Sequence, residues 1–153
     1  FALAAGRDAF LVYDLGDLGE LGNFKRYSAE VDLYRKKFGI KPQVIACDLH
    51  PDYFSTHFAE SLQLKTKGTR LCRIQHHEAH IASSIADNDI KADVIGVAFD
   101  GTGYGTDGNI WGGEFFAGSL KGFTRAAHLE YYPMQARHGA PTSTNSRKPA
   151  GTR

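Results

Sequence analysis

The clearest repeat of apolar positions lies near the start of the chain. Apolar residues recur there at spacings of three and four, which is the period of one helix face. They are Phe24, Tyr27, Val31, Tyr34 and Phe38. Asn23 can cap the start of this helix, and Gly39 can end it. The pattern predicts an amphipathic helix whose aromatic stripe packs into the core.

Short apolar, strand-like runs alternate with two further helical patterns. The runs lie at residues 9–15, 44–47, 71–74, 94–99, 110–116 and 125–131. Ser55 can cap a second helix, and a third is predicted from about His77 to Asp87. Strands that alternate with helices favour an α/β domain with a mixed, largely parallel sheet. Because the run 94–99 is apolar without interruption, we expect burial on both of its faces.

Composition and charge exclude several classes of protein. The chain has 153 residues, enough for one domain, and carries 18 basic against 17 acidic side chains. This balance argues against binding to nucleic acid or to an anionic membrane. No apolar run approaches the roughly 20 residues that span a bilayer. The two cysteines, Cys47 and Cys72, are too few for a disulfide framework. We therefore expect a cytoplasmic protein with free thiols.

The segment QHHEAH at residues 75–80 is the first candidate for chemistry. His76 and His80 are four residues apart, so on a helix they project from one face and can share a metal ion. The zinc-protease pattern is not matched, because Glu78 falls one position late. His77 points away from the pair and is expected to be structural. A solvated, histidine-rich surface is the alternative interpretation.

A glycine-rich segment, DGTGYGTDG at residues 100–108, follows the most apolar strand. Glycine lets backbone N–H groups approach phosphate oxygens closely. The spacing matches neither a Walker A loop nor a dinucleotide fingerprint, and a simple glycine-rich hairpin is the alternative. Asp100 follows His80 by twenty residues, enough for one helix and one strand. His76, His80 and Asp100 could then form a zinc or iron(II) site with open positions.

A third segment, DLHPDY at residues 48–53, follows another predicted strand. Pro51 ends that strand, so Asp48 and His50 are expected at the same edge of the sheet. They are therefore candidates for the border of the site. A turn stabilised by Asp52 is the alternative.

Together these segments resemble one family. VIACDLHPDYFST, IQHHEAHIASSIADN and VIGVAFDGTGYGTDGNIWGGEF are similar, in order and spacing, to segments of HypF-type hydrogenase-maturation proteins. The opening, FALAAGRDAFLVYDLGDLGELGNF, also resembles that family's entry into its Kae-like domain. The resemblance covers residues 1–134. It implies a partial ATPase fold of the actin and hexokinase type, of which this chain would supply the first lobe.

The resemblance also implies a reaction. HypF-type proteins hydrolyse carbamoyl phosphate, activate the carbamoyl group with ATP as carbamoyl-adenylate, and transfer it to the C-terminal cysteine of the partner HypE. The product is the precursor of the cyanide ligands of nickel–iron hydrogenases. By resemblance, His76, His80 and Asp100 would be ligands of iron or zinc. The residues that would face the nucleotide and the carbamoyl group are Gly101, Thr102, Gly103, Tyr104 and Gly105.

The chain also departs from the family's full pattern. The acylphosphatase-like domain, the cysteine-rich zinc modules and the second nucleotide-binding domain are not found in this sequence. Residues 1–134 would be the N-terminal part of the Kae-like carbamoyltransferase domain. Residues 135–153 contain no aromatic side chain and are expected to form a disordered or aberrant tail. Since a further carboxylate ligand is expected from the missing half, catalysis by this chain alone is not expected.

Two other functions fit the same segments. An O-carbamoyltransferase of the antibiotic or nodulation type would share the fold and the metal site. A non-catalytic remnant would bind only a metal or a maturation partner.

Overall fold

A computed structural model describes residues 1–131 and shows seven strands and three helices within them. The strands are β1 (Ala2–Ala5), β2 (Asp8–Leu11), β3 (Val44–Asp48), β4 (Arg70–Ile74), β5 (Val94–Tyr104), β6 (Ile110–Ser119) and β7 (Gly122–His128). The helices are α1 (Leu21–Lys37), α2 (Phe54–Lys65) and α3 (His76–Asp87). No helix among these residues is long and apolar enough to cross a membrane. The tail predicted at 135–153 lies outside the described residues.

The strands form three small sheets. β1 and β2 are an antiparallel hairpin, β3 and β4 are a parallel pair, and β5, β6 and β7 form an antiparallel sheet in that order. The mixed α/β class is confirmed, but the expectation of a largely parallel sheet is wrong. The connections after β5 and β6 are too short for the crossover that parallel strands need, so these strands pair as hairpins.

The main core lies between α3 and the antiparallel sheet. Its buried side chains are Ile81, Ile85, Ala98, Trp111 and Phe116, with Val94 and Phe123 packed against them. Ile81 and Ile85 are four residues apart and therefore lie on the same face of α3. This packing determines how the N-terminal turn of α3 sits over β5.

A second, aromatic cluster joins α1 to its neighbours. Phe10 stacks on Phe38 at 4.2 Å between ring centroids, and Tyr27 meets Phe58 edge to face at 5.2 Å. Such pairs stabilise a core beyond the area that they bury. The aromatic stripe of α1 therefore packs against β2 and α2, as its spacing predicted.

Two of the predicted helix starts are wrong. α1 begins at Leu21, and the side chain of Asn23 donates to the Asp17 carbonyl instead of capping the helix. α2 begins at Phe54, so Ser55 is already inside it. The side chain of an N-cap residue accepts a hydrogen bond from a backbone N–H group two or three residues further along the chain. Asn23 and Ser55 lie inside their helices and therefore are not the N-cap residues.

β5 is buried on one face only. Gly96 and Ala98 lie under α3, whereas Ile95 and Phe99, on the opposite face, are 80% and 70% exposed. Burial on both faces was therefore a wrong expectation for residues 1–131. β5 also continues to Tyr104, so the first five residues of the glycine-rich segment 100–108 are strand, with a register shift between Phe99 and Gly103.

We predict that Gly96→Ala destabilises the protein by roughly 1–3 kcal/mol. A β-carbon at this position would lie 2.6 Å from two side-chain carbons of Ile81. Because Ile81 is buried and stiff at χ1, it cannot yield cheaply. The matched control is Gly101→Ala, on the same strand with nothing within 4 Å. Equal urea midpoints for the two variants would contradict the packing described.

Candidate metal centre and glycine-rich segment

The first turn of α3 presents two histidines on one face. His76 opens the helix, and the rings of His76 and His80 lie 4.8 Å apart between centroids. Gln75 is the N-cap residue, with a side chain that accepts hydrogen bonds from the backbone N–H groups of His77 and Glu78. The i, i+4 placement predicted from the sequence is therefore present.

Asp100 of β5 meets both histidines. Its Oδ2 atom lies 3.0 Å from His76 Nε2 and 3.5 Å from His80 Nε2. One ligand atom from each residue lies within 4.8 Å of the others. The three side chains predicted to share a metal therefore do come together. We expected α3 to connect two strands of one parallel sheet. In the structure, α3 packs instead on the antiparallel sheet that contains β5.

Asp48 orients His76 from the opposite side. Its Oδ2 atom lies 2.7 Å from His76 Nδ1, while its Oδ1 atom accepts a hydrogen bond from the His50 backbone N–H at 2.8 Å. Since a carboxylate only accepts, the Nδ1 atom carries the proton and Nε2 points to Asp100. A carboxylate paired to the far nitrogen of a histidine is the usual support of a metal-binding imidazole.

The donor set suits a divalent cation. With the proton of His76 on Nδ1, its Nε2 atom and Oδ2 of Asp100 are both acceptors, so a 3.0 Å separation between them calls for a cation between the two atoms. Ligand atoms about 2.1 Å from one metal ion lie roughly 3.0–3.4 Å apart at octahedral to tetrahedral angles. The 3.0 Å separation between Asp100 and His76 falls within this range, and the 3.5 Å separation between Asp100 and His80 lies just above it. Two imidazoles and one carboxylate fit zinc or iron(II).

Burial and hydrogen bonding shift the pKa of the Asp100 carboxyl group in opposite directions. Desolvation alone would raise the pKa of its carboxyl group. A hydrogen bond from the Gly101 N–H at 2.6 Å and the nearby histidines outweigh it, so the pKa is lowered. Burial of His77 lowers the pKa of its imidazole, which favours the neutral ring. Asp100 is thus held in the charged form that a metal ligand requires.

His50 lies at the border of the site without joining the metal cluster. Its ring stacks on Tyr53 at 4.2 Å and lies 5.1 Å from the ring of Tyr104. Its Nδ1 atom accepts a hydrogen bond from the Asp52 N–H. Of the two predicted border residues, Asp48 contacts the histidine pair and His50 contacts the glycine-rich segment. The turn at 48–53 is stabilised by hydrogen bonds to the Asp48 carboxylate and to the His50 ring. The Asp52 side chain, which was the alternative, accepts neither of them.

The glycines of the segment are needed for packing at two positions. A β-carbon at Gly103 would lie 2.5 Å from His77 Cε1, and one at Gly105 would overlap the Trp111 indole. A β-carbon at Gly101 would meet nothing within 4 Å, so packing does not require glycine at this position. The roles predicted for Gly101, Thr102, Gly103, Tyr104 and Gly105 in nucleotide binding stay predictions.

A hydrogen-bonded network beyond the glycines was missed at the sequence level. Asp107 accepts from Trp111 Nε1 and from the Tyr131 hydroxyl, both at 2.9 Å. The guanidinium of Arg125 lies 3.8 Å from the Trp111 ring centroid and binds buried Glu114 at 2.6 Å. The one available signal was Glu114 within the otherwise apolar run 110–116. This network holds the turn between β5 and β6.

We predict that Asp48→Asn weakens metal binding about 10- to 100-fold. The amide removes the negative charge that orients His76 and raises the basicity of its Nε2 atom. Asp52→Asn is the matched control, because it removes the same charge without touching His76. Competition with a chromophoric chelator measures both affinities. Equal loss in the two variants would show that only net charge matters.

We predict that the stability cost of Asp107→Asn shrinks as the pH falls. Burial would raise the pKa of Asp107, but hydrogen bonds from Asn109, Tyr131 and Trp111 lower it to about 2. A group whose pKa is lowered by folding stabilises the fold above its unfolded pKa of about 3.9, and loses that effect as the pH falls towards 2. Urea midpoints at pH 6 and pH 2.5 measure the gap. A gap that is constant with pH would contradict the account.

Comparison with known proteins identifies related sequences over most of the chain. Residues 1–87 match the family described as the HypF Kae1-like domain, and residues 96–145 match the second subdomain of the carbamoyltransferase Kae1-like domain. A carbamoyltransferase HypF from Synechocystis is 38% identical over 134 residues, which are 87% of this chain and 17% of that protein. A probable carbamoyltransferase HypF from Methanocaldococcus jannaschii is 47% identical over 90 residues, 59% of this chain and 12% of its own length.

Solved structures show the same likeness in three dimensions. A full-length HypF in a phosphate- and nucleotide-bound form superimposes with a TM-score of 0.78 at 43% identity, and covers 85% of this chain. HypF from T. kodakarensis gives 0.77 at 34% identity over 86% of this chain. In both cases the chain spans 17% of the longer protein. The chain therefore belongs to the HypF family and corresponds to part of its Kae1-like domain.

Proposed function

We propose that this chain is the metal-binding part of a HypF-type carbamoyltransferase. The observation that carries the proposal is the convergence of His76 Nε2 and His80 Nε2 on one oxygen of Asp100. Asp48 supports the arrangement from behind His76. Iron or zinc would be held by His76, His80 and Asp100, and a divalent cation there supplies positive charge to oxygens of a bound substrate.

The reaction proposed for the full-length protein has three steps. Carbamoyl phosphate is hydrolysed to carbamate and phosphate. Carbamate attacks the α-phosphorus of ATP, which gives carbamoyl-adenylate and releases pyrophosphate. The thiolate of the C-terminal cysteine of a HypE-type partner then attacks the carbamoyl carbon, and AMP leaves. The relatives named carbamoyltransferase, and the solved relative described as phosphate- and nucleotide-bound, support this reaction.

The chain's own residues contribute positioning and charge. A β-carbon at Gly101 would meet nothing within 4 Å, so we propose that phosphate or carbamoyl oxygens approach the backbone at this position. The rings of His50 and Tyr104 lie 5.1 Å apart and contribute aromatic surface to the border of the site. Fixed groups of this kind lower a barrier because they need not reorganise during the reaction.

The site is open on one side in the described residues. The side chain of His80 is 56% exposed and that of Asp100 is 32% exposed. Carbamoyl-adenylate hydrolyses readily in water, so a working site has to exclude solvent. We propose that other parts of the full-length protein close this side and supply a further carboxylate ligand.

The proposal predicts metal binding that depends on the two histidines. The purified chain should hold close to one iron or zinc per molecule, and His76→Ala/His80→Ala should hold almost none. The control is His57→Ala, an exposed histidine of α2 that lies outside the cluster. Elemental analysis after dialysis gives the ratio. Equal metal in all three proteins would refute the proposed ligands.

The same variants in the full-length protein test the reaction. We expect carbamoyl-phosphate-dependent formation of AMP in the wild type and the control, and a fall of at least about 10²-fold in the double variant. Carbamoylation of a small hydroxyl compound in place of a partner cysteine would identify an O-carbamoyltransferase instead. Metal binding without any carbamoyl transfer, or with a partner bound but not modified, would identify a non-catalytic remnant.

A further inference from the structure

Gln75 connects two parts of the candidate site, the start of α3 and the end of β5. It lies between β4 and α3 and is only 4% exposed, although its side chain is polar. A buried amide costs free energy unless its hydrogen bonds are made. The oxygen end of this amide has its partners at the start of α3. The nitrogen end has its partners at the His77 ring and at the end of β5.

The oxygen end of Gln75 caps the metal-bearing helix. Its Oε1 atom accepts hydrogen bonds from the backbone N–H groups of His77 at 2.7 Å and Glu78 at 3.0 Å. These are two of the N–H groups that a helix leaves without a partner in its first turn. Because both partners are donors, they also determine which end of the amide is oxygen.

The nitrogen end reaches the glycine-rich segment. Its Nε2 atom donates to the backbone carbonyl of Tyr104 at 3.3 Å and lies 3.1 Å from His77 Nδ1. Tyr104 is the last residue of β5, next to Gly105 and four residues after Asp100. The amide nitrogen carries two hydrogens, so it can meet both His77 Nδ1 and the Tyr104 carbonyl, which lie within hydrogen-bond distance of it.

We propose that Gln75 is a positioning residue that couples the metal helix to the backbone facing the nucleotide. It acts through the Tyr104 carbonyl and His77, which packs under Gly103. The assignment rests on the proposed function only in naming the nucleotide as the ligand of that backbone. A change in the tilt of α3 at the metal is transmitted through this amide to Tyr104.

A capping role alone does not account for glutamine at this position. Serine, aspartate, asparagine and threonine are the preferred N-cap residues. Glutamine loses more rotamer freedom on burial than these shorter side chains. What it adds is a donor group that reaches beyond the helix. Serine and aspartate can provide the cap but no donor to Tyr104.

The test separates the two ends of the amide. Gln75→Glu keeps the capping oxygen and replaces the donor with an acceptor, whereas Gln75→Ala removes both. Gln63→Glu is the matched control, because Gln63 Nε2 also donates to a backbone carbonyl, that of Thr69, at 3.3 Å. All three variants are made in the full-length protein and measured at pH 8 to favour the ionised carboxylate.

Hydrogen exchange and kinetics give the two readouts. In Gln75→Glu we expect amide exchange in residues 103–108 to become at least about tenfold faster, with α3 protected as in the wild type. We expect the KM for ATP to rise about tenfold, with kcat and metal content nearly unchanged. Gln75→Ala should in addition loosen the start of α3, and Gln63→Glu should change neither quantity.

The results distinguish failure of the coupling from failure of the proposed function. Unchanged exchange in residues 103–108 of Gln75→Glu would overturn the coupling, whatever the activity. The coupling would also be overturned if Gln75→Glu lost metal, kcat and protection of α3 as much as Gln75→Ala does, because Gln75 would then be only a cap. If the wild type shows no carbamoyl-phosphate-dependent AMP formation, the proposed function fails, and the exchange data still decide the coupling.

Discussion

The close packing of α3 on β5 determines where every candidate ligand lies. Gly96 has no side chain, so Ile81 can pack directly on the strand backbone. The helix therefore lies closer to β5 than any other residue type at position 96 would allow. The first turn of α3 then meets β5 at Asp100. Without this approach the two histidines would have no carboxylate between them. The candidate metal centre is therefore a consequence of how a helix packs on a sheet.

Around this contact, several polar groups of the site have partners from other elements. Asp48 of β3 holds His76 from behind, and Asp100 of β5 meets it from the front. Gln75 joins the start of α3 to the end of β5. Such partners fix the orientation of each polar side chain. The arrangement therefore depends on three segments that are distant in sequence and were recognised separately as motifs.

Much of the site could be predicted from local spacing. The four-residue separation of His76 and His80 requires one helix face, and Asp100 comes directly after an apolar run. The sheet could not be predicted in the same way, since the pairing of β5, β6 and β7 depends on short turns and not on apolar pattern. Burial on both faces of β5 was inferred from the uninterrupted apolar run 94–99, yet such a run does not specify what covers each face. Gln75 was missed because its role depends on Tyr104, 29 residues away.

The proposed ligand set joins His76 and His80 with Asp100 at one metal ion. X-ray absorption at the metal edge of the loaded protein tests it most directly. We predict a coordination sphere with two imidazoles and oxygen ligands, in which His80→Ala loses one imidazole and His57→Ala loses none. A sphere that contains sulfur, or one that is unchanged in His80→Ala, would contradict the account.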